Sequence, residues 1–269
     1  MIPSCENAAR ELLDFYLEAG VDALVGEAPV NRFAGPDAPP ARAEPVKPAL
    51  RAPEIKSTAA IAPPPAPDTA ALAAGAAVKD VTSLDALRAA LARFDGCALR
   101  ATATQLVFAD GNPQAKLMLV GEAPGRDEDI EGLPFVGRSG KLLDLMLAAI
   151  GLDRASVYIA NIIPWRPPGN RTPTPQESQI CLPFIRKQIE LVDPDILVCL
   201  GGPSAATLLG IKEGITKSRG RWIGYHTGKR EIRALATFHP AFLLRSPLQK
   251  RLAWRDFLAV KKALAGQRG

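Results

Sequence analysis

Residues 115 to 140 read AKLMLVGEAPGRDEDIEGLPFVGRSG: an apolar run, a glycine turn, then a segment crowded with acidic groups. The run is too short for an amphipathic helix and is closed by a turn, which predicts a strand buried on both faces. Three later segments have the same form: VYIANII, DILVCLG and IRALATF. Between and after them, helical spacing of apolar residues predicts helices over Gly140–Gly151, Pro175–Leu191, Pro203–Leu209 and Pro247–Ala265. Strands alternating with helices predict a three-layer α/β/α domain on a four-stranded parallel sheet. Its site is expected where the strands end in turns.

Outward from this core, the chain of 269 residues divides into three parts. Residues 1–30 carry the helical pattern ENAARELLDFYLEAGVDALVGE, an amphipathic N-terminal helix. Residues 31–80 are rich in proline and alanine, and 11 of the 25 prolines fall between Pro29 and Pro67. Such a composition buries too little apolar surface to offset its ordering entropy and predicts a disordered linker. Residues 81–269 are expected to form the main globular domain, opened by a helix over TSLDALRAALARF that Thr82 or Ser83 would cap. This third part holds 26 Lys+Arg against 17 Asp+Glu, so it is basic and suited to a polyanion such as nucleic acid. The N-terminus lacks the basic start and apolar middle of a signal peptide and no apolar run is long enough to span a bilayer, so a cytoplasmic protein without a membrane partner is expected.

Chemistry-bearing residues gather at the four strand ends. GEAPG follows the first strand, Asn161 ends the second, GGPSAA follows the third and FHPAFLLRSP follows the fourth. GEAPG lacks the GKS or GKT of a phosphate loop, and GxGxxG is absent, which sets nucleotide-cofactor binding aside. The four cysteines show no CxxC pair or zinc spacing, and Cys199 in DILVCLGG reads as a buried packing thiol.

Taken in order, GEAPGRDED, GLPFVGRSG, YIANIIPWRPPGNRTPTPQE, LGGPSAATLLG, KSRG and HPAFLLRSP resemble the uracil-DNA glycosylase superfamily, most closely its family 4, the iron-sulfur type, over Leu91 to Ala263. The resemblance implies a monofunctional DNA glycosylase of base excision repair. Such an enzyme hydrolyses the N-glycosidic bond of deoxyuridine in single- or double-stranded DNA, giving an abasic site and free uracil without a lyase step. A base inside a duplex is out of reach, so it must be everted into a pocket. The resemblance implies Phe135 as the ring that stacks on uracil, with Gly121 beside it, and Asn161 as the reader of the uracil edge. It implies His239 as the donor to the departing O2, and Glu122 and Glu128 as the functional acids. Where family 1 has an aspartate this chain has Ala123, so no single water-activating group is named. Asp127, Asp129 and Glu131 read as solvated loop charges, and His226 as a turn residue. For DNA the resemblance implies Leu243 as the apolar wedge, with Leu244 its neighbouring alternative, and Arg171, Gly201, Ser204, Arg245 and Ser246 as backbone contacts.

The chain departs from the family at the cluster. Family 4 members carry four cysteines for a 4Fe-4S cluster; here Cys97 and Cys181 match two of them, while Phe94 and Trp165 stand at the other two. Two thiolates cannot hold such a cluster. The expectation is no cofactor and no metal, with the two aromatics filling the vacated volume. No inserted basic loop follows PFVG, so turnover is expected and not a covalent DNA adduct. The competing readings are excision of hypoxanthine or xanthine, a non-catalytic protein that binds lesions or abasic sites, and a nucleotide hydrolase unrelated to DNA. A monomer is expected, with residues 1–80 as a tether for a protein partner.

Overall fold

The computed structural model describes residues 67–266, and the expected helix at 1–30 lies outside the described residues. The chain begins with helices α1 (Pro67–Val78) and α2 (Leu84–Arg93), then strands β1 (Asp110–Gly111) and β2 (Leu117–Gly121) and helices α3 (Arg126–Glu131) and α4 (Arg138–Ala149). There follow β3 (Tyr158–Asn161), α5 (Pro175–Val192), β4 (Ile196–Leu200), α6 (Gly202–Leu209) and α7 (Ile215–Ser218). The chain then forms β5 (Trp222–His226), β6 (Glu231–Thr237), α8 (Pro240–Arg245) and α9 (Lys250–Ala265).

One sheet has the order β1-β3-β2-β4-β6-β5. Its four inner strands are the four expected ones and are mutually parallel. Two antiparallel edge strands, β1 and β5, extend the expected four to six. Neither edge leaves an apolar run in the sequence: β1 is only Asp110–Gly111, and β5 is nowhere fully buried.

Strand residues alternate between two cores, as a pleated backbone requires. Met118, Val120, Tyr158, Ala160, Leu197, Cys199 and Ala234 face the layer containing α1, α2, α5 and α6. Leu117, Leu119, Ile159, Ile196, Val198 and Leu235 face α4 and α9. A third small cluster, Phe238, Leu243 and Ala253, joins α8 to α9 near the carboxyl end of β6.

The expected linker needs a correction, because its end, Pro67–Val78, is helix α1. Ala70, Ala74 and Val78 of α1 are buried in the same core as Ile180, Cys181 and Phe184 of α5. Alanine is the strongest helix former, and its small side chain allows close packing of helices without the large apolar periodicity that marks most helices in a sequence. The rest of the expected linker, up to residue 66, lies outside the described residues. The expected cap of α2 is Ser83, whose hydroxyl accepts from the amide of Ala86 at 3.2 Å.

Candidate active site

Parallel strands feeding helices place every crossover start at one end of the sheet, and there the turns after β2, β3, β4 and β6 enclose a cavity of about 620 Å³. Phe135, Asn161 and His239, far apart in sequence, all line it, together with Glu122, Ala123, Gly201, Gly202 and Arg245.

Asn161 ends β3, in register with Gly121 at the end of β2. Its side chain is 6% exposed, and its Oδ1 is the one buried side-chain polar atom without a hydrogen-bond partner among the described residues. A buried acceptor left open in this way costs about 1–3 kcal/mol and marks a place kept for a ligand donor. Gly121 is glycine because of this neighbour: a Cβ there would collide with Asn161 Oδ1 and come within 2.7 Å of the Phe135 ring.

Phe135 is buried, with φ 56°. An aromatic residue held in the left-handed region costs about 1–3 kcal/mol and persists only where its surroundings enforce it. Its ring lies 5.4 Å from the His239 ring, centroid to centroid, at an interplanar angle of 32°.

His239 precedes α8, and its Nδ1 accepts from the Ala241 amide at 3.1 Å. That bond places the imidazole proton on Nε2, so the ring presents a donor. Burial, and secondarily the charge of Arg245, pulls its pKa down to about 4, which keeps it neutral at pH 7. Opposite it, Gly201 has φ 102°, a conformation that favours glycine, and a Cβ there would meet His239 Cβ at 3.2 Å.

The two acids differ in environment. Glu122 is half-buried in the cavity wall, its carboxylate has no hydrogen-bond or ion-pair partner among the described residues, and burial raises its pKa. Glu128 is 7% exposed and committed. Its Oε2 accepts from the Gly125 amide at 3.0 Å, and its Oε1 accepts from the amides of Val136 and Gly137, both at 3.1 Å. Glu128 therefore joins the GEAPG turn to the PFVG loop, which corrects its expected role as a reacting acid. Asp129 is also no solvated charge: it is 2% exposed and accepts from the amide and hydroxyl of Thr104, at 2.8 and 2.9 Å. Asp127 and Glu131 are exposed as expected. His226 is exposed too, its Nδ1 accepting from the amide of Gly228.

Two expected DNA contacts, Leu243 and Ser204, are buried and are corrected. Leu243 is 1% exposed, packed with Phe238 and Ala253, and cannot enter a base stack from there. Its neighbour Leu244, one helical step round α8, is 36% exposed. Ser204 is fully buried and donates its hydroxyl to the Val120 carbonyl at 2.7 Å, tying α6 to β2. Arg171 lies exposed at the cavity rim, its guanidinium on Glu177 at 2.9 and 2.6 Å, a surface pair that leaves it able to meet a phosphate. Arg245, exposed, and Ser246, half-buried, stand at the end of α8, and Gly201 and Gly202 contribute cavity wall at the start of α6.

No sequence motif marks Arg154, which precedes β3 and donates to the carbonyls of Pro134 and Phe135 at 2.7 and 2.9 Å. It lies 19 residues beyond Phe135 and outside every quoted motif, so only the tertiary fold reveals the pairing.

A family model described as the uracil DNA glycosylase superfamily matches residues 108–258. A type-4 uracil-DNA glycosylase of Thermotoga maritima is 44% identical over 151 residues, covering 56% of this chain and 77% of that protein. One of Archaeoglobus fulgidus is 40% identical over 165 residues, 60% of this chain and 83% of its own length. One of Saccharolobus solfataricus is 37% identical over 190 residues, 69% of this chain and 88% of its own length.

Proposed function

This chain belongs to the uracil-DNA glycosylase superfamily, and from that membership and the geometry of its cavity we propose that it hydrolyses the N-glycosidic bond of deoxyuridine in DNA. The observation that carries the reading is the convergence of Phe135, Asn161 and His239 on one cavity that also holds a half-buried carboxylate.

The everted uracil stacks on Phe135 beside Gly121. Asn161 accepts from N3–H and donates to O4, a pattern that cytosine reverses. As the bond from C1′ to N1 breaks, its electron pair leaves with uracil, and Nε2–H of neutral His239 donates to O2, where charge develops. Glu122 faces the positive charge that builds on the sugar, orients the water that adds to C1′ and takes its proton. Uracil and an abasic sugar are the products.

Glu122 must be ionised to act, and burial, by raising its pKa, moves the acid limb of the rate profile to higher pH than an ordinary exposed glutamate would give. Glu122→Gln is expected to lower the rate and abolish that limb. The two leucines separate as well. Leu244→Ala is expected to slow uracil release from duplex more than from single-stranded DNA, because only a duplex has a hole to fill. Leu243→Ala is expected to cost about 2–5 kcal/mol of stability and to affect both substrates alike. Thermal melting with duplex and single-strand rates checks the pair.

The residues do not fit the cluster that the family resemblance implies. The Sγ atoms of Cys97 and Cys181 lie 4.0 Å apart, both thiols buried. At the other two ligand positions Phe94 packs on Phe184, ring centroids 5.0 Å apart, and Trp165 is 2% exposed. Two thiols are too few, and aromatic rings fill the space around them. The reading is therefore a cluster-free enzyme. Iron analysis of the purified protein is expected to find far less than one iron per chain, and about four per chain would overturn it.

The activity itself is tested with labelled uracil-containing oligonucleotides incubated in EDTA and then treated with alkali. Strand cleavage at uracil supports the reading. Cleavage at inosine alone, or binding without cleavage, would refute it.

A further inference from the structure

We propose that Arg154 is the positioning residue of the stacking ring, acting with Glu128 to hold Phe135 in its left-handed conformation; the proposal rests on the uracil reading above. Arg154 does not line the cavity, and it touches the reaction only through the loop that carries Phe135. Its guanidinium is fully engaged. Nη1 donates to the Phe135 carbonyl at 2.9 Å and to Asp144 Oδ1 at 3.0 Å, Nη2 donates to the Pro134 carbonyl at 2.7 Å, and Nε donates to Asp110 Oδ2 at 2.8 Å.

The arrangement is a two-sided hold. Before and at Phe135, the two carbonyls are fixed by a cation; immediately after it, the two amides of Val136 and Gly137 are fixed by the Glu128 carboxylate. Asp110 on edge strand β1 and Asp144 on α4 fix the guanidinium in turn. Gly140 completes the seat, since a Cβ there would collide with the Phe135 carbonyl oxygen. Together these contacts account for a bulky residue persisting at φ 56°. They also give β1, a strand of two residues, a reason to exist. A lysine cannot replace this, because an ammonium lacks the planar fork that reaches two carbonyls and two carboxylates at once.

A ring displaced by about 1 Å is expected to cost on the order of 10²-fold in rate. The test compares wild type, Arg154→Gln, Phe135→Ala and the double variant on single-stranded uracil DNA, with DNA affinity measured alongside. Expected is a 10- to 100-fold fall in kcat (order of magnitude) for Arg154→Gln, with DNA affinity unchanged, and a further loss of less than about 3-fold when the same change is made on Phe135→Ala. Equal losses in both backgrounds would show that Arg154 acts on overall structure and would overturn the proposal, as would no loss in the wild-type background. If Arg154→Gln fails to fold, Arg154→Lys, which keeps the charge beside Asp110 and Asp144, takes its place in the cycle with the same criteria. Amide hydrogen exchange over residues 134–140 is read on the same proteins: faster exchange without the fork supports the hold, and unchanged exchange contradicts it. Because exchange needs no catalysis, a wild type that releases no uracil would refute the uracil reading while leaving the hold itself decided.

Discussion

Replacing His239 by alanine is expected to slow uracil release by about 10²–10³-fold, the usual consequence of losing one donor aimed at a developing oxyanion. DNA affinity should stay close to that of the unchanged protein, because the bond matters only as uracil departs with its electrons. The effect is large because the donor is already in place: the Ala241 amide occupies Nδ1, so Nε2 carries the proton and no reorganisation precedes the reaction. His239→Asn is the informative companion. Asparagine can still accept from the first turn of α8, so it preserves the helix cap while withdrawing the imidazole donor. Equal rate losses in the two variants, with alanine alone lowering the melting temperature, would separate chemistry from capping.

The same histidine has a signature in stability. Its folded pKa is about 4, below the unfolded value near 6.5, so between these pH values the unfolded chain binds more protons. The neutral ring's contribution is complete above pH 6.5 and is lost as pH falls toward 4, by at most about 3 kcal/mol. Melting temperature measured from pH 7 to pH 4 should therefore fall less steeply in His239→Asn than in the unchanged protein.

Asn161→Ala is the second large effect. Two hydrogen bonds to the uracil edge disappear, and a fall of about 10²–10⁴-fold in kcat/KM on uracil is expected. Selectivity against cytosine should narrow at the same time, because the remaining wall has no group that opposes the reversed donor pattern. The variant should be no less stable than the unchanged protein, since the acceptor removed has no partner among the described residues. Relative kcat/KM on uracil and cytosine oligonucleotides, with a melting curve, measures all three. A variant that loses stability but keeps selectivity would place Asn161 in the scaffold and not in base recognition.

The parts legible in the sequence were those that depend on local patterning. Four buried parallel strands appear as apolar runs because both faces are covered, and Asn161 and His239 stand out because each follows such a run directly. Phe135 stands out because glycine and proline surround it in a loop. What failed depends on direction or on distant partners. Leu243 and Leu244 are adjacent leucines on one short helix, and only the packing of α8 against α9 decides which points inward. Glu128 looks like a reactive acid until the amides of Val136 and Gly137, eight and nine residues later, are seen to take its oxygen. Ser204 sits in a helix start suited to phosphate, yet its hydroxyl turns to the Val120 carbonyl. α1 is half alanine, with leucine and valine its only larger apolar side chains, and so lacks the amphipathic contrast by which helices are recognised.

At the positions where the family resemblance implies cluster ligands, the side chains belong to one continuous core. The cores that contain Cys97, Cys181, Phe94, Phe184 and Trp165 are continuous with the alanine face of α1. In this chain an aromatic and aliphatic cluster supports the loop that runs from Asn161 to α5, and Arg171–Glu177 closes that loop at the surface.

A crystal structure of the protein bound to DNA that carries a 2′-fluorinated deoxyuridine, which resists cleavage, tests most directly whether the three side chains grip one everted base. The predicted result is an everted uracil on the Phe135 ring, its N3–H about 3 Å from Asn161 Oδ1 and its O2 about 3 Å from His239 Nε2. A uracil still stacked in the strand, or seated in another cavity with these three side chains untouched, would contradict it.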